Sequence, residues 1–282
     1  MADLHVKRGM SANGAFTGFV DRYRATPMKA KIGALALILA LITLFLPSPY
    51  VVETPGQTQD VLGKSGGTAV INISGVRTYS DKGSLLMTTV SAYGVPGYPV
   101  TNAQVLWSWF SKQSIVMPRE AIFPEGQTVE EYESENTKQM TSSQDAATSQ
   151  ALKFLEAKGQ DVSSAKVTIH VNDIGGPSAG LMYTLGTIDK LTERNETGGK
   201  TIAGTGTMNS KGQVGAIGGI RLKMIGAKRD GATWFLAPAA NCTDVAGHVP
   251  DGLRDVKVST LDDAYNALVA IGQGKAQNLP HC

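Results

Sequence analysis

The sequence predicts an α+β fold behind a single N-terminal transmembrane helix, on three observations. Strand-like and helix-like segments are mixed along the chain with hairpins among them, the pattern of a layered α+β domain. The 282 residues are 42% hydrophobic and 18% charged, enough apolar material for a packed core in one or two domains. Residues 32–46 read IGALALILALITLFL, without a charge.

That apolar run is shorter than the roughly 20 residues a span requires. The segment from Pro47 to Val52 extends it through the interfacial layer, where Tyr50 is suited. Lys7, Arg8, Arg22, Arg24, Lys29 and Lys31 precede or open the run, against Asp3 and Asp21. This excess places the N-terminus in the cytoplasm and everything after about residue 50 outside. No small-x-small cleavage site follows LFLPSPY, so an uncleaved plasma-membrane anchor is expected rather than a signal peptide. The expected organisation is a basic cytoplasmic tail (1–31), an anchor (32–50), a β-rich part (51–139) and a main domain (140–282).

After the anchor, YVVETPG, GGTAVINISGV and GSLLMTTVSAY read as strands, β-branched and broken by Gly and Pro. Residues 101–110 form a helix whose Trp107, Trp109 and Phe110 lie either at the membrane surface or in the core. Residues 125–145 are polar and acidic, a loop or an exposed helix edge. SSQDAATSQALKFLEAKG is a helix that Gly159 can stop. KVTIHVN alternates as a half-buried strand and leads through IGGPSAG into the helix SAGLMYTLGTIDKL. KTIAGTGTMNSKGQVGAIGG reads as a hairpin turning near 209–212, IRLKMIGAKRDG as a helix, and ATWFLAP and VKVS as strands. TLDDAYNALVAIG is the last helix, with Thr260 and Asp263 as a capping pair.

A formal net charge of +2, with no basic stripe interleaved with aromatics, gives no case for nucleic acid. The two cysteines, Cys242 and Cys282, both fall in the exported part, where a disulfide is permitted. It would close a loop of about 40 residues and tie down the C-terminus. Two cysteines alone make no metal site, and no cofactor is expected.

Ser178 stands at a strand-to-helix junction among glycines, as reachable as a nucleophile must be. A serine needs an adjacent base. His170, on the strand leading to it, is one candidate; His5, His248 and His281 are poorly placed by sequence. A lysine serves if burial strips its proton. Lys223 shares a helical face with Ile220 and Ala227, away from Arg221 and Lys228.

IGGPSAG, followed at a distance by the lysine of IGGIRLK, resembles the proteolytic domain of Lon proteases. The hairpin TGTMNSKGQVGAIGG and the strand GATWFLAPAAN match in the same order, so the resemblance spans about residues 140–270. It implies Ser178 as nucleophile and Lys223 as general base. It further implies that Thr205 orients the lysine amine, that N–H groups at the start of the Ser178 helix form an oxyanion hole, and that Gly175 and Gly176 leave room for a substrate strand. The chain is most similar to bacterial membrane-anchored Lon-like proteases, which share VETPG at 52–56 and SSQDAA at 142–147, as well as the contexts of Cys242 and Cys282. Their PDZ module has no counterpart here, so no clamp for a peptide end is visible.

The ATPase module of full Lon proteases is also missing. GGKT at 198–201 falls short of a phosphate-binding loop, because Arg194 occupies the place of its first glycine. The resemblance therefore implies ATP-independent cleavage of unfolded or extended polypeptides, without nucleotide, by a chain that assembles as a homo-hexamer. Two other readings stay open. One is an inactive membrane-tethered scaffold on the same fold. The other is a penicillin-binding type of acyl enzyme using Ser163 and Lys166 of SSAK.

Overall fold

The computed structural model describes residues 26–124, 126–171 and 177–282. Its contacts divide the chain into two units, one built on the N-terminal helix with residues 101–103, the other of residues 48–100 and 104–282. The N-terminal helix, α1 (Met28–Phe45), buries none of its residues. Its 18 residues have a mean hydropathy of 2.0, long and apolar enough to cross a membrane or to serve as a signal sequence.

The second unit is ordered by a six-stranded sheet. Its strands are β1 (Tyr50–Asp60), β5 (Ser84–Tyr93), β6 (Ile115–Pro118), β8 (Thr201–Gly204), β11 (Trp234–Pro238) and β12 (Arg254–Val258), in the order β12-β11-β8-β5-β1-β6. From β12 to β5 the strands run parallel; β1 is antiparallel to both β5 and β6. The strands of the segment 51–139 therefore continue the same sheet as those of the main domain.

Alternate residues of these strands feed two apolar layers, as the two-residue period of a strand requires. Leu85, Met87, Ile202 and Leu236 point into one layer. Leu86, Ala203, Phe235 and Ala237 point into the other. The first layer holds α3 (Val129–Ala157), α4 (Gly180–Leu191) and α7 (Leu261–Gly272). The second holds α5 (Ile220–Arg229) and the short α6 (Cys242–Val245). Being covered on both faces explains why IAG and FLAP read as unbroken apolar runs.

A small sheet pairs β4 (Ile71–Ser74) with β7 (Lys166–Ile169), and Val167 and Ile169 pack on the first layer. Two short ladders complete the strands: β2 (Lys64–Ser65) with β3 (Thr68–Ala69), and β9 (Thr207–Met208) with β10 (Val214–Gly215). The hairpin expected over 200–219 thus consists of β9 and β10 alone. TIAG peels away from it because its alternating residues are needed in the core on both sides of the large sheet.

The polar stretch after residue 125 belongs to the long helix α3. Thr128 caps it, accepting from Glu131 N–H while Glu131 accepts from Thr128 N–H. Its early turns are rich in Glu and exposed, and only its later turns bury Ala147, Ala151 and Leu155. The helix α2 (Asn102–Trp109) leaves Trp107, Trp109 and the following Phe110 largely exposed, so these aromatics are not core. Cys242 and Cys282 are joined in a disulfide. The tail it holds lies along β12, with Pro280 O accepting from Lys257 N–H and Asp255 accepting from Cys282 N–H.

Candidate active site

Helix α4 lies in one layer and α5 in the other, and the start of α4 and the Lys223 side chain of α5 both reach residues 205–206, just past the carboxyl end of β8. A 3-10 turn, Pro177–Ala179, precedes α4 and carries Ser178. It is pinned from two sides. Ser143 Oγ of α3 donates to Pro177 O at 3.0 Å. Ser178 O accepts from Gly206 N–H at 2.8 Å and from Thr205 Oγ at 3.1 Å. Leu181 N–H in turn donates to Gly206 O, so it is already engaged within the protein.

Lys223 sits one turn into α5 and is only 3% exposed. The cap of α5 is Gly219, at φ +67°, and a Cβ there would come within 2.7 Å of Val90 Cγ1. Glycine is needed on both counts, and it sets α5 hard against β5. Lys223 Nζ donates to Thr205 Oγ at 3.3 Å. A chain of contacts thus runs from the amine through the Thr205 hydroxyl to the Ser178 carbonyl.

Burial brings Lys223 down to about 8, against the smaller opposing pull of Glu53. Glu53, on β1 and itself buried, is raised by its desolvation and lowered in part by Lys223. Among the described residues no ion pair within 4.0 Å joins the two, so the amine is influenced without being neutralised. Glu53 was not a site candidate by sequence. Its place in VETPG was legible, but its meeting with α5 depends on β1 packing beneath that helix. A bulge between Pro55 and Thr58 lets β1 carry its proline, and a Cβ on Gly56 would strike Thr89 Oγ at 2.2 Å.

Ser178 and Lys223 line one cavity of about 760 Å³. Residues 89–93 of β5 line it too. β8 pairs with β5 only along Ser84–Met87, so β5 runs on past this neighbour along the cavity.

The remaining candidates fall elsewhere. Gly175 and Gly176 lie outside the described residues, as does His5. His170 is exposed and absent from the cavity lining. His248 is exposed, with Nδ1 beside Ala246 O, and His281 is exposed at the C-terminus. Ser163 Oγ donates to Asp161 on an exposed turn, and Lys166 is exposed, so SSAK forms no enclosed pair. In GGKT, Lys200 Nζ donates to Ile271 O and Gly272 O at the end of α7. A Cβ on Gly198 would lie 2.1 Å from Gly272 O, so the glycine serves a close helix contact.

Comparison with known proteins agrees with this architecture. The model of the Lon protease (S16) C-terminal proteolytic domain matches residues 114–270. The mitochondrial Lon protease homolog of Eremothecium gossypii is 38% identical over 96 residues, 33% of this chain and 9% of that protein. Lon protease 2 of Syntrophobacter fumaroxidans is 32% identical over 119 residues, 40% of this chain and 15% of that protein. Lon protease of Clostridioides difficile is 34% identical over 102 residues, 35% of this chain and 13% of that protein. The chain therefore matches only a small part of the length of these relatives. With more than half of its residues inside the family match, the chain belongs to the Lon protease (S16) C-terminal proteolytic domain family, a family of serine peptidases.

Proposed function

We propose that this protein is a membrane-anchored serine endopeptidase that cleaves unfolded or extended polypeptide with a Ser178–Lys223 dyad, without ATP. The observation that carries the reading is the burial of Lys223 in the cavity that Ser178 lines, with Thr205 on its amine. An ammonium kept from water loses its proton more readily, and the neutral amine is the base a serine needs.

In this mechanism Lys223 takes the Ser178 Oγ proton as Oγ bonds to the substrate carbonyl carbon. Backbone N–H groups of the turn before Leu181, at the positive end of the α4 dipole, receive the oxyanion. The tetrahedral intermediate collapses to an acyl-enzyme, and Lys223 returns its proton to the leaving amine. Water then attacks the ester, giving its proton to Lys223, and the acid product leaves Ser178 with its proton restored. Thr205 holds the amine by accepting its hydrogen bond. An extended substrate strand fits along residues 89–93 of β5, beyond the end of β8, where backbone groups are available for strand addition.

Three further parts of the reading have narrower support. The basic residues around Met28–Phe45 support an uncleaved plasma-membrane span with the catalytic unit outside. The engagement of Lys200 by the end of α7 supports a structural GGKT and thus nucleotide-independent action. Assembly as a homo-hexamer rests on the family alone.

The test uses the full chain in detergent with an unfolded protein as substrate. Ser178→Ala and Lys223→Ala should each lower turnover at least about 1000-fold while leaving the melting profile cooperative. Equal turnover by all three chains would leave a scaffold on a protease fold.

A further inference from the structure

Away from the dyad, three carboxylates converge beyond the last turn of α4. Asp189 comes from that turn, Asp81 from the loop before β5, and Glu196 from the loop between α4 and β8. One oxygen of each lies within 4.8 Å of one oxygen of the other two. Asp189 is 2% exposed and Glu196 1%. Among the described residues, no lysine or arginine nitrogen pairs with any of the three within 4.0 Å. Asp189 Oδ2 and Glu196 Oε2 are buried with no hydrogen-bond partner.

The surroundings hold the group in place. Asp81 accepts from Gly83 N–H, from Thr197 N–H at 3.0 Å and from Thr197 Oγ. Glu196 Oε1 accepts from Thr192 Oγ at 2.7 Å and from Tyr265 OH of α7 at 3.2 Å. These bonds fix two of the carboxylates from outside and leave Glu196 Oε2 and Asp189 Oδ2 without protein donors. Carboxylate oxygens this deeply buried are satisfied either by a cation or by a proton shared between neighbouring carboxyls. Oxygen-only donors select hard divalent cations, and second-shell donors of this kind orient their ligands. Calcium binds oxygen at about 2.3–2.6 Å, so two of its ligands can stand up to roughly 4.8 Å apart. Oxygens within 4.8 Å of one another are close enough to share one such cation.

We propose that Asp81, Asp189 and Glu196 form a binding site for a hard divalent cation such as calcium, which clamps the C-terminal end of α4 to the loops around residues 81 and 196. The 12 residues of α4 span about 18 Å, so a cation there sits far from the reacting atoms and acts by positioning the helix that begins beside Ser178. The inference stands whether or not the dyad is active. Burial and the neighbouring carboxylates of Asp81 and Glu196 push Asp189 up to about 9, which makes a shared proton the rival occupant.

The full chain in detergent, stripped of metal by a chelator, is titrated with calcium, magnesium and terbium(III). One calcium per chain should bind saturably and raise the melting temperature by roughly 5–10 °C at a 100-fold excess over Kd. Asp189→Asn and Glu196→Gln should each weaken that binding at least about tenfold, while Glu133→Gln on the exposed face of α3 leaves it unchanged. Absence of saturable binding by the wild-type chain overturns the proposal, and a stabilising effect of Asp189→Asn on the metal-free chain would then assign the cluster to a shared proton. Calcium binding that persists undiminished in both variants overturns it as well. Should the variants not fold, terbium on the wild type decides. Emission excited through tyrosine, displaced by calcium and lost in Tyr265→Phe supports the site, and its absence refutes it.

Discussion

In the proposed mechanism the chemistry turns on where one proton resides. With Lys223 at about 8, kcat/KM against peptide should rise tenfold per pH unit below that value and level off above it. The carboxylate of Glu53 favours the charged amine, so Glu53→Gln should move this limb to lower pH; a limb that stays put would remove Glu53 from the site. Thr205→Val takes away the acceptor for Nζ and the donor to Ser178 O, and should lower kcat/KM about tenfold or more. Thr205→Ser should restore most of that, which a merely space-filling methyl would not. Stability moves in the other sense from most lysines. The folded value lies below the ordinary 10.5, so the unfolded chain binds the proton more tightly. Folding is penalised below about 8, and the penalty fades as pH rises from there toward 10.5. Chemical denaturation across that range should therefore show Lys223→Met more stable than wild type at neutral pH, with the gap closing at high pH. Ser178, Thr205 and Lys223 could be named as candidates from the sequence because each sits in a short local pattern. Glu53 and the Asp81–Asp189–Glu196 group were not, because strand pairing and helix packing bring together residues with no common motif.

Elements place these residues by their ends. α4 and α5 occupy opposite faces of the sheet, and Ser178 before α4 and Lys223 within α5 both reach Thr205 just past β8, so a serine and a lysine from different layers come to one cavity. The junction is fixed by backbone geometry more than by side chains. Gly219→Ala puts a Cβ into Val90 at a left-handed φ, so α5 must shift, at a cost of about 1–3 kcal/mol. Denaturation should register that loss, and turnover should fall further than the stability loss alone would imply. A variant with full turnover would separate the cap from the site. Helix ends also decided what could be foreseen. Thr260 with Asp263 stands directly before an amphipathic run, and the capping box observed there was legible. Thr128 with Glu131 forms the same motif. The turns after it are polar all round, so periodicity gave no helix to which the cap could belong. TIAG was assigned to a hairpin because sequence adjacency favours antiparallel pairing, whereas β8 instead lies parallel between β5 and β11, where its apolar residues are covered on both faces.

At the scale of the whole molecule, the proposed function turns on which side of a membrane the unit of residues 48–100 and 104–282 occupies. Two independent features bear on this. The basic residues cluster before and at the start of α1, and Cys242 and Cys282 are oxidised to a disulfide. In the proposed topology the first would orient the span and the second needs a non-reducing compartment, so the two should be lost together if the span is lost. In cells producing the full chain, alkylation after denaturation without reductant should label no cysteine. The same chain lacking residues 1–46 should stay in the cytosol with both thiols labelled. Labelling of the full chain would place the catalytic unit inside and reverse the topology. The disulfide closes a loop over a sequence separation of 40, worth about 4 kcal/mol in the chain-entropy model. The reduced chain should therefore melt roughly 8–16 °C lower than the oxidised one. The loss should begin at the tail along β12, and β12 is an edge of the sheet whose interior strands carry the site. Hydrogen exchange that quickens first in β12 and α6 on reduction, with α4 and α5 still protected, would locate the effect at that edge. Simultaneous exchange throughout would instead make the bond a constraint on the entire unit.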